Sequence, residues 1–161
     1  MTSSINTQTI KQTWDLKKVQ EAATKHAAHR IVSRLHFIEK HPGKEIDELE
    51  HASAHLKSEM MKKCGVRTPM DLAKHIAEFE VNVYATEANV QGDEQNAVVV
   101  TERSTVWQEA KKLGNMTKEQ ELTMQTHYRQ WIESLAEGFG FKAQLEISKD
   151  GNSSKITFSH K

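Results

Sequence analysis

The chain has 161 residues, of which 37% are hydrophobic and 27% are charged. This length and composition suit a single globular domain that can bury a hydrophobic core. The 22 basic and 22 acidic residues balance to a formal charge of zero. A neutral chain without a basic block argues against a general nucleic-acid binder, because neutralising phosphates needs a clustered excess of Lys and Arg.

Cysteine content and hydropathy indicate the cellular compartment in which we expect the protein. The single cysteine, Cys64, cannot form an intramolecular disulfide, and a Cys-rich zinc site is excluded. We therefore expect a cytoplasmic protein, with Cys64 buried and inert. No apolar run resembles a signal peptide or a membrane-spanning helix, so no membrane partner is expected. Residues 1–12 are polar and predict a flexible N-terminus ahead of one domain at 13–161.

Apolar residues recur at three- and four-residue steps through the first half of the chain, which is typical of helices. The pattern predicts helices at residues 15–40, 44–63 and 69–80. The "HPG" sequence at 41–43 ends the first helix, because proline disfavours helical geometry in the residue before it. Pro69 begins the third helix, at a position where its missing N–H has no cost.

The second half alternates hairpins with helices. Alternating β-branched residues and turn signals predict strands at 80–90, 97–103, 142–148 and 155–160, with helices at 104–113 and 118–138. Thr117 and Gln120 form a capping box for the long helix. This order predicts an α+β fold in which N-terminal helices precede two β-hairpins and a long helix. We expect the helices to pack on an antiparallel sheet of about four strands.

Histidines in the first two helices raise the question of a metal. His51 and His55 are four residues apart in "DELEHASAHLKSE", so their imidazoles share one side of the second helix. On a helical wheel they lie roughly 120° from the apolar line of Leu49, Leu56 and Met60, which favours a solvated helix flank. They would form a divalent-metal site only if His26 and His29 of the first helix converged on them. A short link between the two helices would allow this if they pack antiparallel.

Nucleophilic catalysis has weaker candidates. Ser104 could be activated by His127 as the catalytic base, but the sequence does not show that the two meet. Ser104 also stands directly before a predicted helix, where serine is a favourable N-cap. No Gly-rich phosphate loop and no HEXXH zinc motif is present, so nucleotide-dependent and zinc-protease chemistry have no support.

Residues 60–160 resemble a known family. "AVVVTERSTVWQEAKKLG" and "THYRQWIESLAEGFGFKAQLEIS" are similar in element order to the L-2-amino-thiazoline-4-carboxylic acid hydrolase family and to the related 4-vinyl-reductase-type ligand-binding domains. Those relatives carry a cysteine after the second strand, where this chain has Ser104. Further cysteines, common in their long helix and final hairpin, are absent from this chain.

The resemblance implies a pocket between the long helix and the sheet, and a homodimer. The residues that would bind the ligand are Tyr128, Trp131, Met124 and Arg103. Aromatic walls suit a small planar molecule, and an arginine suits a carboxylate; a core role for the aromatic residues is the alternative. Two functions stay open: a hydrolase acting on a small heterocycle or carboxylate, and a non-catalytic small-ligand-binding or sensor domain.

Overall fold

A computed structural model describes residues 14–161. The segment expected to be flexible, 1–12, lies outside the described residues. The elements are α1 (Leu16–Lys40), α2 (Lys44–Lys63), α3 (Pro69–Tyr84), β1 (Glu87–Gly92), β2 (Asn96–Glu102), α4 (Thr105–Gly114), α5 (Lys118–Gly138), β3 (Phe141–Ile147) and β4 (Ser154–His160). Among these residues, no helix is both long enough and apolar enough to cross a membrane.

The four strands form one antiparallel sheet in the order β1-β2-β4-β3, so the two hairpins meet along β2 and β4. Alternate residues of each strand face the helices, as the period-2 pattern requires. Val99, Ile156 and Phe158 are almost fully buried in the core formed by the sheet with α2, α3 and α5. These observations confirm the predicted α+β class, with helices packed on an antiparallel four-stranded sheet.

One boundary differs from the prediction. Residues 80–84, predicted to begin the first strand, instead complete α3. The capping box of Thr68 and Asp71 satisfies the first turn of this helix. Ala85 ends it with a left-handed φ of 54°. The β-branched residues near the end of α3 raised the strand signal, but burial of the helix face against the sheet overrides such a local preference.

A second, smaller core lies away from the sheet. Leu35 and Ile38 of α1, Ile46 of α2 and Met124 of α5 form this cluster. Along most of its length α1 packs against α4 and α3, whereas α2 packs against α5. The first two helices are therefore not the side-by-side antiparallel pair that a shared histidine site would require.

The orientation of α2 is the reverse of what the helical wheel indicates. Leu49, Leu56 and Met60, predicted to face the core, are 62%, 67% and 54% exposed. The buried side of the helix carries Ile46, Glu50, Ala54, Ser58 and Met61. Small side chains at 54 and 58 let α2 approach its neighbour closely, and this close packing outweighs the burial of three larger apolar side chains. Cys64, expected to be buried, is exposed at the end of the same helix.

Candidate functional site

Helices α2 and α5 come together around a glycine. A β-carbon added to Gly138 would lie 2.2 Å from the hydroxyl oxygen of Ser58. The Ser58 hydroxyl is fully buried and donates a hydrogen bond to the carbonyl oxygen of His55, 2.7 Å away. Because Gly138 has no side chain, the end of α5 lies directly against the histidine-bearing side of α2.

This close approach gathers three side chains that can bind a metal. A ring nitrogen of His51, a ring nitrogen of His55 and a carboxylate oxygen of Glu137 all lie within 4.8 Å of one another. The two imidazole rings are tilted against each other with centroids 4.3 Å apart. Two histidines and one carboxylate are a common donor set for transition metals.

The neighbours of both rings leave nitrogen atoms free to bind a metal. Nδ1 of His51 lies 3.1 Å from the hydroxyl oxygen of Ser134 on α5, which would orient the ring and leave Nε2 for another partner. Nε2 of His55 is buried and has no hydrogen-bond partner among the described residues. A buried lone pair without a donor is costly, and a bound cation would satisfy it.

A buried carboxylate lies beside this group. Glu50 is only 3% exposed, although acidic side chains are almost never this buried without a partner. It forms an ion pair with Arg34 of α1, and its Oε1 lies 3.6 Å from Nδ1 of His127 on α5. Neither oxygen accepts a well-oriented hydrogen bond from the described residues. Glu50 of α2 thus pairs with Arg34 of α1 and lies beside His127 of α5.

Two shallow cavities open beside the group. One of about 260 Å³ is lined by residues that include Glu50, His51 and Ser134. The other, of about 460 Å³, is lined by Ser134, Glu137 and residues of β3. Because Ser134 and Gln130 border both, the two cavities are neighbours along α5, and we treat them together as one groove. We call it the α5 groove.

The other predicted metal ligands lie elsewhere. His26 and His29 are exposed on α1 and do not belong to the group formed by His51, His55 and Glu137. The predicted catalytic residues also have other partners. Ser104 is the N-cap of α4 and accepts a hydrogen bond from the backbone N–H of Trp107 at 3.4 Å. His127 faces Glu50.

The four residues predicted to bind a ligand are scattered. Met124 belongs to the smaller core, and Trp131 packs against the larger one. Arg103 is exposed and donates a hydrogen bond to the Glu87 carboxylate at 2.9 Å. Neither cavity of the α5 groove is lined by these residues or by Tyr128.

Tyr128 belongs to a separate polar cluster at the end of α3. Burial around its hydroxyl group and the nearby Glu80 carboxylate together raise the pKa of this phenol, although 39% of the residue is exposed. Burial also raises the pKa of Glu80, against the opposing effect of a hydrogen bond with Thr86. The pKa of Tyr84 is raised as well, mainly by burial and to a smaller extent by the Glu80 carboxylate. None of these three groups lines either cavity of the α5 groove.

Sequence reasoning missed Glu137, Ser134, Glu50 and Arg34. One signal for them was present: Ala54 and Ser58 are small residues four positions apart, which permits close helix packing on that side of α2. The side opposite the leucines could therefore have been recognised as an interface. The sequence does not show which helix packs against this side, because that depends on contacts between residues distant in the chain. For the same reason it does not show that Glu137 is the third member of the group.

Comparisons with known proteins add little. No protein-family model matches the chain, and no curated protein matches it. A mutant of the Fe(II) unliganded H-NOX protein from K. algicida aligns with a TM-score of 0.41 and 10% identity, over 89% of this chain and 95% of that one. The H-NOX protein itself aligns with a TM-score of 0.37 and 12% identity, over 72% and 63%. Alignments this weak do not establish a shared fold.

Proposed function

We propose that this chain binds a divalent transition metal through His51, His55 and Glu137, and that the metal holds a small ligand in the α5 groove. The observation that carries the proposal is the convergence of the three donor atoms within 4.8 Å. His55 supports it, because its Nε2 is buried without a partner and a metal bound through this nitrogen would satisfy it.

The donor set indicates the class of metal. Two imidazoles with one carboxylate suit zinc and its transition-metal neighbours, whereas magnesium and calcium prefer oxygen ligands throughout. In a tetrahedral zinc site, ligand atoms lie about 3.4 Å apart, so the three donors must move closer to bind. Glu137 is exposed, and its flexible side chain can make most of this adjustment.

Three protein ligands leave at least one coordination position open. A metal held by these residues would lie beside the α5 groove, since His51 lines one cavity and Glu137 lines the other. Lys142 and Lys161 line the larger cavity and add positive charge to that of the metal. A small ligand with a carboxylate or another anionic donor fits this setting best.

A cobalt titration tests the metal site. After chelator treatment and dialysis, Co(II) is added while the visible spectrum reports its coordination. We expect one equivalent to bind with a tetrahedral or five-coordinate spectrum. His51→Ala/His55→Ala should abolish binding, and Glu137→Gln should weaken it at least about 10-fold. Acetate or azide should then change the spectrum by occupying the open position.

The matched control is His26→Ala/His29→Ala, which removes two exposed histidines of α1 and should leave the stoichiometry unchanged. Loss of metal in this control would instead support the four-histidine site predicted from the sequence. Binding of no more than a trace of Co(II), Zn(II) or Ni(II) by the wild-type chain would overturn the proposal.

A hydrolase is the second candidate, favoured by the same count of three ligands. Zinc sites with three protein ligands and one open position are typically catalytic, and the metal lowers the pKa of its bound water. The resemblance of residues 60–160 to the amino-thiazoline-carboxylate hydrolases suggests a small heterocyclic or carboxylate substrate. Zinc-dependent hydrolysis of an activated ester such as p-nitrophenyl acetate, lost in His51→Ala/His55→Ala, would distinguish this enzyme from a binding or sensor domain.

A further inference from the structure

The outward side of α2 carries an apolar line that no described element covers. Leu49, Leu56 and Met60 keep more than half of their surface exposed, and Leu56 and Met60 each lie about 20° from Leu49 on the helix. Their spacing of seven and four residues is that of helices pairing in a coiled coil. We call these three residues the α2 stripe.

Charged residues at the two ends of the stripe have opposite signs. Glu45 lies in the first turn of α2 and Lys63 in the last, and both lie about 40° from Leu49 on the helical wheel. They are separated by about 27 Å along the helix, too far to pair within one copy. In an antiparallel pair of α2 helices, the Glu45 end of each copy meets the Lys63 end of the other.

We propose that the α2 stripe is the interface of a homodimer in which two α2 helices pack antiparallel about a two-fold axis that crosses the stripe at the level of residues 54 and 55, close to Ser53. In this arrangement Leu49 lies near Met60 of the second copy, and Leu56 contacts the small residues Ala52 and Ser53 of that copy. Such an interface is self-complementary in both shape and charge, as a two-fold contact requires. A parallel pair would place the two Glu45 side chains together and the two Lys63 side chains together.

The proposal is independent of the metal site. On the helical wheel, His51 and His55 lie at least about 120° from the centre of the α2 stripe, and they face α5 rather than the partner. Dimer formation therefore leaves the α5 groove open. A chain that binds no metal could still dimerise, so the two proposals fail separately.

Sedimentation equilibrium of the full chain tests the interface. We expect a concentration-dependent dimer, and Leu56→Glu should raise its dissociation constant roughly 100-fold, because the substitution occurs twice in each interface. Leu122→Glu is the matched control, since Leu122 is 54% exposed on α5, outside the stripe. It should leave the dissociation constant unchanged.

A wild-type chain that stays monomeric at about 0.2 mM, a concentration at which even weak specific dimers form, would overturn the proposal. A wild-type dimer that Leu56→Glu leaves intact would overturn it as well, because its interface would lie elsewhere.

Charge reversal and cross-linking test the orientation. Glu45→Lys should weaken the dimer by placing lysines opposite each other, and adding Lys63→Glu should restore it. Ser53→Cys in a Cys64→Ser background should cross-link between copies with a short bismaleimide, since Ser53 lies near the proposed axis. The native Cys64 residues would be about 30 Å apart and should not cross-link. Cross-linking through Cys64 but not through position 53 would overturn the antiparallel arrangement.

Discussion

On the two sides of α2, the burial of the side chains is the opposite of what their polarity predicts. The side facing α5 buries Glu50 and Ser58 and holds His51 and His55, whereas the opposite side exposes Leu49 and Leu56. A helix normally turns its apolar stripe toward the core. In this protein the small residues Ala54 and Ser58 determine which side of α2 faces inward, because they allow a close approach to α5 that the leucines would prevent. The polar side becomes a candidate binding site, and the apolar side becomes available to a partner.

The largest expected effect concerns the buried charge of the inner side. Arg34→Met leaves the Glu50 carboxylate buried without its main cation, and we expect the free energy of unfolding to fall by about 3 kcal/mol. Urea denaturation measures this loss. Replacing both partners, as in Arg34→Met/Glu50→Leu, should recover most of it. Glu48→Met, which removes an exposed acid from the same helix, should change stability by less than about 0.5 kcal/mol.

Truncating one apolar residue on each side of α2 compares the two sides directly. Ile46 is 6% exposed and Leu49 is 62% exposed. At low protein concentration, where the α2 stripe would be free, Ile46→Ala should lower the free energy of unfolding by roughly 2–3 kcal/mol and Leu49→Ala by less than about 1 kcal/mol. Urea denaturation measures both losses. Equal losses in the two variants would contradict the orientation of α2, in which Ile46 faces inward and Leu49 faces outward.

A single added methyl group should prevent the close approach of α2 and α5. Gly138→Ala places a methyl group against Ser58, and we expect a loss of about 2 kcal/mol in the free energy of unfolding. Affinity for Co(II) should fall as well, because Glu137 moves away from the two histidines. Adding Ser58→Gly makes room for the methyl group, so the double variant should be more stable than Gly138→Ala alone.

The smallest expected effect concerns the polar cluster of Glu80, Tyr84 and Tyr128, which does not involve α2. The pKa of Glu80 is raised in the fold, so its contribution to stability is full below the unfolded-state pKa and is lost as pH rises through the folded-state pKa. Glu80→Gln should therefore gain stability relative to the wild type as pH rises from about 4 to 7. Thermal denaturation across this range measures the gain, and Glu78→Gln, an exposed acid of α3, should not show it.

Local sequence signals determined most of the secondary structure. Thr117 with Gln120, Pro69, and the Asp-Gly of the last hairpin each satisfy or preset backbone groups within a few residues. The elements they bound therefore lie close to their predicted positions. The α+β class followed from the order of these elements, because helices and antiparallel strands must cover each other's apolar surfaces.

Only the tertiary structure decided which side of α2 faces inward and which residues meet there. The sequence predicted His51 and His55 as candidate ligands, but paired them with His26 and His29 instead of with Glu137. The spacing of residues along one helix fixes which side chains share a side, since the helical repeat is local. It does not fix which helix packs against that side, because this depends on the fit of Gly138 against Ser58, residues 80 positions apart in the chain.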